Sequence, residues 1–415
     1  MAKTMVEKIF SKKLGRDVRP GENVFLSPDK IIMYEWSSIS DYVLDLVEND
    51  LGCKNVDWSK LLLFIDHKLP AQNEKEQEFH LETLKWGKEH NVDVFYGEGI
   101  GHQITAERGF VLPGDVAVHF DRHVNLLGAQ GVFSVGTRLE LIISFVKDAF
   151  PIQVPRTVRA ELIGELQPGV MGRDLLHYIV KDIGPGGSPD CVLELGGPGA
   201  LSVSMDARLC LCGLALFVGA TTAMFETDQV TKDYYKNIGK SIDTFVADKD
   251  ADYFLKRTYD LSKLEPQIVV PPKPESTVNI KEVIGTPLQH GYIGSCANGR
   301  LEDLEIAARI LKGRKVAKNF RLIINPITDD IMRQALKLGY IETLADAGAW
   351  ISSPTCDYCY GKVGAIAAGE AIMSSATLNV PGRMGSVDSE IYIGSAASIA
   401  AAAIEGKIVD PRNYV

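Results

Sequence analysis

The stretch 351-ISSPTCDYCYGKVG-364 holds a Cys-x-x-Cys pair, Cys356 and Cys359. Such a pair serves as a redox dithiol, as half of a zinc site, or as part of an iron–sulfur site. A third thiol, Cys296, stands in 291-GYIGSCANGRLEDLEIAARIL-311, where a strand-like run enters a small polar turn and a helix begins. A cysteine on such a turn lies beside exposed backbone N–H groups, which favour the thiolate. Glu302 and Asp303 suit the positive end of the helix that follows. Three thiolates with no fourth ligand at a matching spacing leave a closed zinc site incomplete. A dithiol has no need of Cys296, and an electron-transfer cluster normally takes four cysteines. A four-iron cubane held by three thiolates leaves one iron open as a Lewis acid for a substrate hydroxyl and carboxylate.

These residues need elements to position them. The 415-residue chain is 46% hydrophobic and 24% charged, which is globular composition with room for two to four domains. Short apolar runs, 61-LLLFI-65, 116-VAVHF-120, 191-CVLEL-195 and 321-RLIINP-326, read as strands. Helical patterns separate many of them, including 302–313 and 329–339. The alternation predicts α/β domains with largely parallel sheets. The thiols then fall on loops at the carboxyl ends of strands, where α/β folds place their sites. The proline-bearing stretch 264-LEPQIVVPPKPESTVN-279 reads as a linker. The apolar run 209-LCLCGLALFVGATTAMF-225 reads as a buried helix, too short and glycine-interrupted for a membrane span. The amino terminus reads as an amphipathic helix with Val6, Ile9, Phe10 and Leu14 on one side, and lacks signal-peptide features. A net charge of −10 with dispersed lysines and arginines argues against nucleic-acid binding. Seven cysteines in a chain this long do not form a disulfide framework, and a cytoplasmic location is expected.

The order of these motifs resembles the aconitase family, in particular its large subunits of 3-isopropylmalate dehydratase and homoaconitase. GSCANGRLEDL resembles the family's first cluster loop, PTCDYCYGK its second, and 381-PGRMGS-386 the end of its Gly-Arg substrate loop. In the amino-terminal half, 65-IDHKLPA-71 and 101-GHQITAERGFVLPGDVAVHFDRH-123 resemble two further site segments. The resemblance implies three α/β domains around a 4Fe-4S cluster, here 1–156, 157–272 and 273–415. It also implies a separate small subunit that supplies the fourth, swivelling domain.

The same resemblance assigns roles. Cys296, Cys356 and Cys359 are the expected cluster ligands. Asp66 and His67 follow an apolar strand, and the carboxylate favours imidazolium, a plausible proton donor. His102 and Asp121 match a second His–carboxylate pair, and His123 a further site histidine. Arg383 matches a substrate-carboxylate arginine, suited to bidentate binding. Asn298 is expected at the substrate, and Arg300 as a cap or brace of its loop.

Several positions depart from the family pattern. Arg122 stands where relatives have a small hydroxyl residue, Gly213 replaces an asparagine, and Phe217 replaces a glutamate that partners the third histidine. Leu378 replaces the first of two substrate arginines, and Tyr34 falls at an entrance Gln or His. Arg122 is therefore expected either to take over part of the carboxylate clamp or to pair with Asp121 and fill space left by a smaller substrate. His123, without its glutamate, is expected to stay neutral, and Leu378 with Phe217 points to a more apolar substrate. The function expected is a hydro-lyase large subunit that dehydrates or hydrates a hydroxy acid, a substituted malate-type dicarboxylate. The alternatives are 3-isopropylmalate dehydratase proper and a non-catalytic iron–sulfur sensor or scaffold.

Overall fold

The computed structural model of the chain describes residues 2–35, 40–53 and 56–415. Three sheets dominate it. The first has five parallel strands in the order Val94–Tyr96, Leu61–Ile65, Lys30–Tyr34, Val116–His119 and Phe133–Gly136. The second has four parallel strands in the order Thr222–Phe225, Cys191–Gly196, Arg156–Ile163 and Leu255–Asp260. The third has seven strands, and its five from Glu390–Ile393 through Ala371–Ser374, His290–Ile293 and Arg321–Ile324 to Trp350–Ile351 are parallel. All five residues of Leu61–Ile65 are buried, as a strand covered on both faces requires. A small antiparallel pair, Asn23–Leu26 with Phe150–Gln153, accompanies the first sheet.

The helix Met5–Leu14 buries Val6, Ile9 and Phe10 and leaves Leu14 half-buried. It carries a complete capping box between Thr4 and Glu7 and ends at Gly15 in the left-handed region. Its first residue donates a backbone hydrogen bond to Glu194 Oε2 of the second sheet at 2.9 Å, so the chain's start is built into the body.

Two expectations about local structure are corrected. The stretch 264–279 is no free linker. Gln267–Val269 and Thr277–Asn279 form an antiparallel hairpin on the edge of the third sheet, joined to it by the Val269–Ile393 pairing. The prolines occupy the turn, where no ladder hydrogen bond is needed, and the apolar QIV run supplies a buried strand. Gln267–Val269 thus lies before the expected 272/273 break yet belongs to the third sheet. The run 209–225 is not one helix either. Helix Met205–Gly213 gives way to a 3₁₀ turn, Ala215–Val218, then to Gly219 at φ 81° and strand Thr222–Phe225. No helix among the described residues is long and apolar enough to cross a membrane.

Candidate active site

Three neighbouring strands of the first sheet deliver polar residues at their carboxyl ends. Lys30–Tyr34 runs into Glu35, Leu61–Ile65 into Asp66 and His67, and Val116–His119 into Asp121 and His123. The third sheet does the same with sulfur: His290–Ile293 leads to Cys296, Trp350–Ile351 to Cys356 and Cys359, and Ala371–Ser374 to Thr377, Leu378 and Arg383. The two sets face each other across one cavity of about 480 Å³.

Direct contacts fix the two sheets' loops together. The backbone N–H of Cys356 donates to the Asp66 carbonyl at 3.0 Å. Asp357 accepts from the N–H groups of Lys68 and Leu69 at 2.9 and 3.0 Å, and from the Tyr360 hydroxyl at 2.6 Å. Gly361, at φ 73°, lies so close to Met384 that an added Cβ would meet its backbone at 2.5 Å, which presses the cysteine loop onto the Arg383 loop. The Cys296 loop is held by Arg300, which is fully buried. Its guanidinium donates to the carbonyls of Cys296 and Ala297 at 2.9 and 2.7 Å and to Gln103 Oε1 at 2.9 Å. Asp303 caps the following helix by accepting from the Arg300 N–H.

All three expected thiols line the cavity. Cys359 Sγ lies 3.6 Å from Arg383 Nη2 and 3.7 Å from Thr377 Oγ1. A hydrogen bond from Cys356 holds the Cys359 thiol well below the usual thiol range, with burial opposing and Arg383 assisting; the Cys356 thiol is raised in return. Arg383 Nε is buried with no partner, a donor left over for an anion in the cavity. A cradle of three sulfurs, one of them already favouring its anion beside a guanidinium, fits a thiolate-held cluster.

The polar residues opposite form two pairs. His67 Nδ1 lies 2.6 Å from Asp66 Oδ1, a charge contact by distance and not an aligned hydrogen bond. Asp66 Oδ2 accepts the Gly101 N–H at 2.8 Å. Burial disfavours charge on His67, but Asp66 outweighs it, with help from Glu35 at 3.7 Å, and the imidazole is raised to about 9. Burial likewise opposes ionisation of Asp66, yet the neighbouring imidazolium leaves its carboxyl below the ordinary value. The second pair is Asp121 with His123: Oδ1 accepts the His123 N–H at 2.8 Å and meets its ring Nδ1 at 2.7 Å. Burial pushes His123 down and Asp121 up, and in each case the partner prevails, so the imidazole is raised and the carboxyl lies far below its usual range.

This arrangement corrects several expectations. His123 is not left without a carboxylate: Asp121 takes the place of the missing glutamate as its partner and favours its charged form. The expected His102–Asp121 pair gives way to that contact. His102 lines the cavity with its Nδ1 unpartnered, and burial lowers its pKa despite the pull of Asp121 and Asp66. Arg122 is exposed and does not line the cavity. Asp121 is the N-cap of the 3₁₀ helix Arg122–Gln130, so the first residue of that helix projects outward while its neighbours turn in. Asn298 does not line it either. Its amide is consumed by Asp303 Oδ1 at 2.8 Å and by Arg173 at 2.7 Å. Phe217 packs in the core beside the second sheet, whereas Leu378 and Tyr34 do face the cavity.

Sequence reasoning missed three groups. Glu35, 1% exposed, accepts the N–H groups of Asp66 and His67, both at 3.0 Å, and burial raises it to about 8. It follows an apolar strand as Asp66 does, and that pattern could have found it. His119 is buried and neutral, with its Nδ1 accepting the Asp121 N–H at 2.8 Å and its ring 5.1 Å from Tyr34. Tyr34 also packs 4.6 Å from His67, and Tyr360 lies 6.2 Å from it, so the proton-bearing imidazole has aromatic walls.

The chain belongs to the aconitase family, and with it to the hydro-lyases: the family (aconitate hydratase) is matched over residues 7–288 and 281–406. Among the relatives it resembles is the 3-isopropylmalate dehydratase large subunit 1 of Methanopyrus kandleri, 37% identical, with both chains covered completely. The 3-isopropylmalate dehydratase large subunit of Methanoregula boonei is 35% identical over 99% of this chain and all of that one. A solved structure, aconitase X of Thermococcus kodakaraensis in its holo form, matches 90% of this chain and 89% of its own at 11% identity, with a TM-score of 0.48.

Proposed function

We propose that this chain is the cluster-bearing subunit of a two-chain hydro-lyase acting on a malate-type hydroxy acid with an apolar substituent. One observation carries the reading: three thiols, two charged His–carboxylate pairs and one arginine with a spare buried donor converge on a single cavity. Cys296, Cys356 and Cys359 would hold a 4Fe-4S cluster, which when bound supplies a Lewis acid for a substrate hydroxyl and carboxylate.

The chain's own residues divide the remaining work. His67, kept protonated through neutral pH by Asp66, is the donor to a departing hydroxyl. His102 has no carboxylate partner to hold a proton and serves as a neutral hydrogen-bonding group. Arg383 receives a second carboxylate of the substrate through Nε and its neighbouring nitrogens. The His123–Asp121 pair lies beside the thiols, with Asp121 favouring the charged form of the imidazole. Tyr34, Ile100 and Leu378 give the cavity an apolar wall for the substituent. Leu378 in place of a guanidinium favours that group over a third carboxylate. The base that takes the carbon-bound proton comes from a separate small subunit, in keeping with relatives named as large subunits. A polar set this complete argues against a sensor or scaffold without catalysis.

Three further points belong to the proposal. The chain divides into three α/β parts, one per main sheet, with the second boundary before Gln267. The described cysteines are all free, and thiols poised for a cluster suit the cytoplasm. Isopropylmalate is the first compound to test, since the relatives are named for it. The test is anaerobic loading with iron and sulfide, combination with a small-subunit chain, and a screen of substituted malates and tricarboxylates for dehydration. Stoichiometric zinc in place of iron, or a loaded two-chain complex inert toward every hydroxy acid, would overturn the reading.

A further inference from the structure

Arg173 lies just inside the helix Gly172–Ile183 and is 1% exposed. A guanidinium is permanently charged, and a charge removed from water needs a countercharge. Two other buried arginines have one, whereas Arg300, like Arg173, meets only neutral acceptors, Gln103 and the carbonyls of Cys296 and Ala297. Arg208 holds Asp228 through both terminal nitrogens, at 2.9 and 2.6 Å, and Arg159 meets Glu161, Glu194 and Glu226. Every acceptor of Arg173 is neutral: His177 Nε2 at 3.3 Å, Asn298 Oδ1 at 2.7 Å, and the carbonyls of Ser375 and Ala376 at 2.5 Å each. His177 is itself kept uncharged by burial and by the arginine. The Asp303 carboxylate is reached only through the Asn298 amide and is also engaged by the Arg300 N–H. Cys210, whose sulfur lies 3.9 Å from Asn298 Oδ1, is pushed up to about 11 by burial and stays a thiol.

Apart from His177 on its own helix, the acceptors of Arg173 sit on two loops. Asn298 is two residues past Cys296, and Ser375 and Ala376 lead directly to Thr377, whose hydroxyl touches the Cys359 sulfur. The fork therefore ties the Asn298 side chain on the Cys296 loop to the Ser375–Ala376 backbone and brings an unmatched positive charge to both. The anion that would balance that charge is the thiolate-held cluster. We infer that Arg173 is a positioning residue for this cluster, its fork fixing the two loops and its charge setting how readily the cluster takes up an electron. This rests on the cluster assignment made above.

The test is an anaerobic potentiometric titration, followed by electron paramagnetic resonance, of the full chain loaded with iron and sulfide. Dithionite is the reductant. Arg173→Gln keeps hydrogen-bonding capacity and removes the charge; Arg173→Lys keeps the charge and removes the fork. A unit charge within about 10 Å, at an effective dielectric constant of ~20, changes such an equilibrium by more than tenfold. Arg173→Gln should therefore lower the midpoint by at least about 59 mV, tenfold for one electron. Arg173→Lys should retain most of the potential while losing iron faster under air. An unchanged midpoint in Arg173→Gln, or equal shifts in both variants, overturns the inference and leaves the cluster assignment standing. If Arg173→Gln folds but holds no cluster, retention in Arg173→Lys supports the inference and loss in both overturns it. An unsubstituted chain that takes up no cluster overturns the assignment and the inference together.

Discussion

Asp66→Asn changes one oxygen to an amide nitrogen and removes a single charge. The remaining side-chain oxygen can still accept the Gly101 N–H, now 2.8 Å from Asp66 Oδ2, so the helix start beyond it is kept. What is lost is the partner that outweighs burial at His67. Raising an imidazole from 6.5 to about 9 corresponds to roughly 3 kcal/mol favouring the protonated form. Because the folded value is the higher one, that contribution is fully present below pH 6.5 and disappears as pH rises through about 9. Asp66 itself, lowered from 3.8, adds stability above that value and loses it in acid. The pair thus works between about pH 4 and pH 9. In Asp66→Asn the His67 midpoint should fall to about 6.5 or below. At pH 8 an imidazole of pKa ~9 is nine-tenths protonated and one of ~6.5 about 3% protonated, so turnover that draws on His67 drops about 30-fold. At pH 6 the deficit from this cause nearly vanishes. Carbon-13 labelling of the eight histidines, with His67→Gln to assign its signal, measures the midpoint in the metal-free chain. A midpoint that stays near 9, or an activity deficit equal at pH 6 and pH 8, refutes the argument.

Cys356→Ala together with Cys359→Ala should abolish iron and sulfide retention while leaving the far-ultraviolet circular dichroism unchanged; elemental analysis after anaerobic loading checks it. Arg383→Leu should lower kcat/KM about 10- to 100-fold in the two-chain enzyme, since a charged hydrogen bond to a carboxylate is worth roughly 1.5–3 kcal/mol. Arg122→Ser, by contrast, removes an exposed side chain outside the cavity and should leave kcat/KM within about twofold; steady-state kinetics on the same preparation separate the two arginines.

Much of the site was legible because its residues follow a rule of the fold. Asp66, His67, Asp121 and Cys296 each come directly after an apolar run that had to be a strand, and sites in parallel sheets gather at those ends. Glu35, directly after the strand Lys30–Tyr34, obeys the same rule. Arg122 shows where adjacency misleads. It stands between two cavity residues, but the turn that aims Asp121 and His123 inward sends the residue between them to solvent. Asn298 shows a second limit: a polar side chain on the right loop can spend its whole hydrogen-bonding capacity on the scaffold. The hairpin at 267–279 was hidden because prolines mark turns and linkers alike, and only the sheet edge distinguishes them. Arg173 left no signal at all. It sits in a helix that looks amphipathic, and its burial arises from loops more than a hundred residues downstream.

The interlocking of the loops ties the His67 side of the cavity to its thiol side. Cys356 donates its backbone N–H to the Asp66 carbonyl, and its neighbour Asp357 holds the two N–H groups directly after His67. The loop carrying Cys356 and Cys359 and the loop carrying Asp66 and His67 are thus one hydrogen-bonded unit, built from opposite halves of the sequence. A displacement of either loop moves the other, because buried N–H groups do not give up their acceptors without cost. Substitutions that alter substrate preference are better tolerated outside this unit. Tyr34, Ile100 and Leu378 line the cavity beside it. That separation explains how the cavity wall can depart from the family pattern while the thiols and the His67–Asp66 pair keep their places.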